Sequence, residues 1–283
     1  MMKYSRQRGL TLIELMVSLL ISLLIMAGLF TVYQSNQRGN RLNDGLMRTQ
    51  ENGRFAIDFL TQDIRIAAFP FNDPNPGVTA KPEFQNFLFS GGANDVAVNN
   101  NPNTSDILSL RHGWGSATTA DCSGAVPGNV DLVALSQGGA TWTPDGTTTW
   151  NRYDIRDTGR TNNRGLPIFA LYCNGNEIVE GIENMQVLYG VDTDASFQAR
   201  DLVTNQYYTF DTIPDLDGDG ITDWGRIISI RIALLASSVD ERASAPSPRT
   251  FTLLDAPVMG PYNDQKIRRV YTTTVLIRNN MSK

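Results

Sequence analysis

Apolar residues run almost unbroken from Leu10 to Phe30, interrupted only by Thr11, Glu14, Ser18 and Ser22. At about 1.5 Å per residue, a helix over this stretch covers the roughly 30 Å of hydrocarbon in a bilayer. Lys3, Arg6 and Arg8 precede it. Such basic flanks stay on the cytoplasmic side, so the bulk of the chain is expected across the membrane. Glu14 stands out, because a carboxylate inside such a segment costs on the order of 3 kcal/mol unless it is neutralised. That cost marks it as a functional residue.

Beyond Phe30 the helical pattern continues in amphipathic form. Leu42, Leu46, Ile57, Leu60, Ile64 and Ala67 recur at helical spacings and predict one apolar stripe, with Arg48, Glu51, Arg54, Asp58 and Asp63 on other faces. Gly39, Gly45 and Gly53 each lower helix propensity by about 1 kcal/mol relative to Ala and allow bending. Phe69-Pro70 ends the pattern, since the residue before a proline is pushed out of the α region. A single helix from residue 10 to residue 68 follows, half of it membrane-spanning and half packed on a soluble domain.

After the helix the period changes. Residues 71–105 are rich in Asn, Pro and Gly and read as an irregular, exposed connection. Strands are expected at Ile107–Leu110, Val130–Leu135 and Ile168–Cys173, with a hairpin turn at Asn174-Gly175-Asn176. Ile228, Ile230, Ile232 and Leu234 alternate with Ser229, Arg231 and Ala233, the pattern of a half-buried strand. Tyr271–Arg278 closes the series.

The string Gly9-Leu10-Thr11-Leu12-Ile13-Glu14-Leu15 resembles the type IV prepilin signal, which a dedicated peptidase cuts after the glycine. Leu10 stands where Phe is usual. An ordinary secretory signal is cut beyond its apolar region, after small residues. No such site follows Phe30, where the chain reads TVYQSNQRGN; an uncleaved signal anchor is the alternative. The resemblance implies processing between Gly9 and Leu10 and a retained membrane helix that later packs in a filament core. It also implies a pairing of Glu14 with the Leu10 amine of a neighbouring subunit. An expensive charge in lipid would then become favourable only when an opposite charge reaches it in a dry interface.

Other segments resemble the minor pilins called PilW. They are Glu51 to Leu60 with Asp63-Ile64-Arg65, the run Ile178-Val179-Glu180-Gly181-Ile182-Glu183-Asn184 through Tyr189-Gly190-Val191-Asp192, and the closing TTVLIRNN. The resemblance implies an α+β, pilin-like fold, with a long N-terminal helix packed on a mainly antiparallel sheet. Its parts would be a leader (1–9), a transmembrane and filament-core helix (10–30), the amphipathic half of that helix (31–68) and a periplasmic β-rich domain (69–283). It further implies a role in pilus assembly or initiation, in a tip complex with other minor pilins, the major pilin and a tip adhesin. A type II secretion pseudopilin is the alternative within this class, since the signal alone does not separate the two.

The formal charge is −5, and loss of Lys3, Arg6 and Arg8 with a leader makes the mature chain more acidic still. No basic cluster is present, so nucleic acid is not an expected partner. In an oxidising periplasm the two cysteines, Cys122 and Cys173, are expected to form a disulfide. The one histidine, His112, has no second ligand or triad partner nearby in sequence, and no G-x-S-x-G occurs, so a membrane-anchored hydrolase finds no support.

Asp215-Leu216-Asp217-Gly218-Asp219-Gly220-Ile221-Thr222-Asp223 places acids at positions 1, 3, 5 and 9 of an EF-hand-like loop, with glycine at 6 and the Ile221 carbonyl at 7. Arg226 occupies position 12, where such loops carry Glu. The spacing points to Ca²⁺ with an incomplete ligand set, or else to a solvated Asp-Gly turn before a strand. A membrane-anchored, calcium-binding adhesin module is the corresponding second alternative for the whole chain.

Overall fold

The computed structural model describes residues 11–67, 88–89, 105–113, 122, 148–194, 202–216, 218, 226–240, 243, 245–246 and 248–277. For residues 88–89, 111–113, 148–150 and 211 only the backbone is described. The expected strand at Val130–Leu135, the helix stop at Phe69-Pro70, most of the irregular connection at 71–105 and the side chain of His112 lie outside the described residues. Cleavage between Gly9 and Leu10 does too, as do Asp217, Asp219, Ile221 and Asp223.

One helix, α1, runs from Leu12 to Ile66. Residues 1–44 and 45–283 form separate compact units. In the first, the apolar stretch carries a mean hydropathy of 2.5 and none of it is buried, which suits a membrane-spanning segment by length and composition.

The second unit holds the remainder of α1 and two antiparallel sheets. Sheet one is a meander of β1 (Leu88–Phe89), β2 (Leu108–Gly113), β3 (Thr148–Thr161), β4 (Pro167–Cys173) and β5 (Asn176–Glu180). Sheet two has the order β7-β6-β8-β9, from β6 (Ile182–Val191), β7 (Gln206–Tyr208), β8 (Ile227–Ser237) and β9 (Arg268–Leu276). The class is α+β. Asn174 and Gly175 both take positive φ, 48° and 83°, as a two-residue hairpin between β4 and β5 requires.

Ile178 to Asp192 is not one strand. Gly181 divides it at φ 79°. Its N–H donates to the Phe169 carbonyl in sheet one, and its carbonyl accepts from Ser237 N–H in sheet two. A Cβ there would stand 2.6 Å from the Ser237 carbonyl oxygen. Only glycine fits a joint that is strained in φ and pressed on both sides.

The larger core takes Leu60 and Ile64 from α1, Leu108, Tyr153 and Leu171 from sheet one, and Met185, Tyr189, Ile230, Ile232 and Leu234 from sheet two. β8 departs from the half-buried expectation. Its other face is covered too, because Ala233 and Leu235 pack with Leu253 and Met259 of a loop pinned by the Phe251–Met259 bridge.

Candidate functional site

Glu14 sits in the first turn of α1. The Glu14 N–H donates to Thr11 Oγ1, while the Thr11 N–H and hydroxyl both point at Glu14 Oε2, each at 3.4 Å. Thr-x-x-Glu is therefore a capping box. Both side chains satisfy amides that the helix start would leave bare. The sequence signal for this is the T-x-x-E spacing itself. In this arrangement the carboxylate is exposed and held at the helix end.

Where α1 enters the second unit, its buried side is Gly45, Thr49, Gly53, Ala56, Leu60, Asp63 and Ile64. The upper half of the expected stripe is thus corrected. Leu42 is exposed, Leu46 and Ile57 are half-buried, and small residues take the seat instead. The reason is a close approach to β9. A Cβ on Gly53 would lie 2.3 Å from the Tyr271 ring, and the Tyr271 hydroxyl donates to the Thr49 carbonyl at 3.4 Å. Gly53, expected to weaken or bend the helix, is the slot into which the Tyr271 ring fits.

Asp63 is a second correction. Expected on a face away from the apolar stripe, it is buried, and both its oxygens accept from Asn151 Nδ2 at 3.0 Å. Tyr153 Oη donates to Oδ2 at 2.8 Å. Asn151 Oδ1 in turn accepts the Cys122 N–H at 3.0 Å, and Cys122 is disulfide-bonded to Cys173 on β4. The disulfide thus fixes the backbone that orients the amide that hydrogen-bonds a carboxylate on the helix. A carboxylate can be buried at modest cost when its acceptors are filled in this way.

The Glu180-Gly181-Ile182-Glu183 segment carries a third polar device. Asn52 of α1 donates to the Glu180 carbonyl at 3.0 Å. Glu183 is buried and receives Arg268 Nε at 2.6 Å and Nη2 at 3.1 Å, with Lys266 Nζ at 3.5 Å. Arg268 also grips Asp264 through two 2.7 Å bonds and lies 3.7 Å over the Tyr262 ring. Burial opposes charge on Asp264, but the bonds and charge of Arg268 outweigh it and hold the carboxyl below its usual value. Burial pushes the Tyr262 phenol up to about 12.

Of the acidic loop, Asp215 is described. It is exposed, and its Oδ1 accepts the Gly218 N–H at 2.8 Å. Among the described residues no three acids, histidines or cysteines converge on a point that could hold a metal.

Residues 162–279 match the family model described as Type IV Pilus-assembly protein W. Residues 4–30 match the Prokaryotic N-terminal methylation motif. Among solved structures, a type IV-like pilin from Thermus thermophilus is 13% identical, with a TM-score of 0.40, over 83% of this chain and 99% of that one. Comparison with curated proteins finds no match. The two ends of the chain define a prepilin-type, type IV pilin-like protein, and its apolar helix fits a membrane anchor. Within that class, residues 162–279 are similar to the PilW family of pilus-assembly proteins. The family that residues 162–279 match is one of pilus-assembly proteins rather than enzymes.

Proposed function

We propose that the protein is a minor pilin that helps initiate or assemble a type IV pilus, within a tip complex of other minor pilins that joins the major pilin and presents a tip adhesin. The observation that carries this reading is the pairing in one chain of the methylation motif at 4–30 with the PilW match at 162–279. The proposed course begins in the inner membrane, with the N-terminus cytoplasmic and the globular unit periplasmic. Prepilin peptidase cuts between Gly9 and Leu10. Glu14 then exchanges its capping bonds with Thr11 for the Leu10 amine of a neighbouring subunit. Exposure of the Glu14 carboxylate in the first turn of α1 supports that exchange. Ca²⁺ at Asp215, Asp217, Asp219, Ile221 and Asp223 is a separate proposal, supported by their spacing.

Affinity capture of the full chain from crosslinked cells tests the assembly role. Recovery of minor pilins and a tip adhesin is the expected result; recovery of secretion-system subunits instead would move the protein to a type II pseudopilus. Calcium titration followed by calorimetry tests the loop, and absence of heat would leave a plain turn.

A further inference from the structure

We propose that the connection between β8 and β9 is a hinged cover, in which residues 248–262 swing off sheet two as one unit while both sheets stay folded.

β8 ends at Ser237 and β9 begins at Arg268, and these two residues are paired. A hairpin needs only two to five residues to turn back, yet here the connection runs through residues 238–267. Its two ends are tied to each other. Ser238 N–H donates to the Ile267 carbonyl at 2.8 Å, Ile267 N–H to Ser238 Oγ at 2.9 Å, and Ala243 N–H to the Gln265 carbonyl at 2.9 Å. Beyond this neck the backbone bonds stay inside the loop. Phe251 and Met259 exchange a pair at 2.9 and 2.8 Å, and Ala256 N–H donates to the Leu253 carbonyl at 2.8 Å. Among the described residues no backbone bond joins 248–262 to a strand of sheet two. The loop can therefore leave without breaking the ladder.

Side chains hold it down. Leu253 and Met259 are buried on Ala233 and Leu235, in a cluster that shares no residue with the larger core on the opposite face of β8. Tyr262 adds a clasp, its ring 3.7 Å from the Arg268 guanidinium.

The charges nearby do not oppose the motion. Arg268 is gripped by Glu183 of β6 and by Asp264 beside the neck, while Lys266 reaches the Pro167 carbonyl and Glu183. All of these groups lie outside 248–262. Breaking a buried ion pair is strongly destabilising, and opening breaks none. Opening returns backbone entropy to the loop and gives up the burial of one small cluster, whereas the larger core is lost only with the sheets. The face it bares carries Ala233, Leu235 and Val270, an apolar strip next to the polar Arg231, Thr272 and Thr274.

Two alanines of β8 supply the test. Both are fully buried, Ala233 under the cover and Ala236 in the larger core. The two cysteines of the chain are bonded to each other, so an added thiol is the free one. Full-length Ala233→Cys and Ala236→Cys proteins in detergent are labelled with a maleimide, each rate taken relative to its own value in denaturant. The thiol at position 233 should react at least tenfold faster than the thiol at 236. Leu253→Ala should speed the first at least tenfold further and leave the second unchanged. Equal rates at the two positions, or a rise shared by both in Leu253→Ala, would mean that the loop leaves only with global unfolding and would overturn the proposal. If a cysteine variant does not fold, deuterium exchange of the unsubstituted chain decides. The Phe251, Ala256 and Met259 amides should then exchange as a group ahead of those of β8; exchange in step with β8 would overturn the cover equally.

Discussion

At Gly53 the ordinary rules of helix stability reverse sign. In an exposed helix, Gly→Ala stabilises by about 1 kcal/mol; here the new methyl meets the Tyr271 ring. Gly53→Ala should destabilise the folded chain by about 1–3 kcal/mol, the usual cost of overpacking. Thermal unfolding of the detergent-solubilised protein measures it, and Tyr271→Leu in the same chain should recover part of the loss. Glu183→Ala leaves Lys266 buried and Arg268 with Asp264 alone, so a loss of about 3–5 kcal/mol is expected in denaturant titration. The charged cluster also has a pH signature. Asp264 titrates below its unfolded value, so its contribution is present above about pH 4 and disappears as pH falls through the lower folded value. Tyr262, raised to about 12, contributes fully below its unfolded value of about 10 and loses that contribution as pH rises towards 12. Tyr262→Phe should therefore flatten the alkaline limb of a melting-temperature profile, and Asp264→Asn the acid limb.

Among elements, β3 shows where pattern reading stops. It is the longest of the described strands at fourteen residues, yet its sequence TTWNRYDIRDTGRT offers little apolar alternation. Its inward side holds Asn151 and Tyr153 because both serve Asp63 on the helix. Neither the strand's polarity nor the buried acid makes sense alone; each is the other's reason. The disulfide belongs to the same device. Cys122→Ser with Cys173→Ser should cost about 2–4 kcal/mol through loop closure, and should also loosen the Asn151 amide that faces Asp63. Faster amide hydrogen exchange around Asp63, beyond that at distant helix sites, is the expected readout. β8 read as half-buried because the alternation of Ser229, Arg231 and Ala233 says nothing about the loop at 251–259 that covers part of its second face.

For the whole molecule, the proposed assembly role requires the leader to be cut ahead of the apolar helix. N-terminal sequencing from cells with active prepilin peptidase should begin at Leu10; persistence of Met1 or Met2 would remove the processing step. Glu14→Ala should leave membrane insertion intact and lower incorporation into filaments, read by immunoblot of sheared pili. The same substitution removes half of the capping box, at about 1 kcal/mol of helix-start stability. Far-UV dichroism therefore needs to accompany the filament assay.

The sequence alone determined the long apolar helix, the prepilin motif and the strands near Ile107–Leu110, Ile168–Cys173, Ile228–Leu234 and Tyr271–Arg278, because each rests on interactions between near neighbours: a long apolar run, a contiguous string, a short β-rich run or an alternation of period two. The opening run with its acid at Glu14 needed no tertiary information to be recognised. Tertiary structure alone decided that Gly53 is a slot for Tyr271, that Asp63 is buried, that Gly181 joins two sheets and that Glu183 balances Arg268. Those partners lie far away along the chain. A glycine or a carboxylate carries no local mark of what will be packed against it.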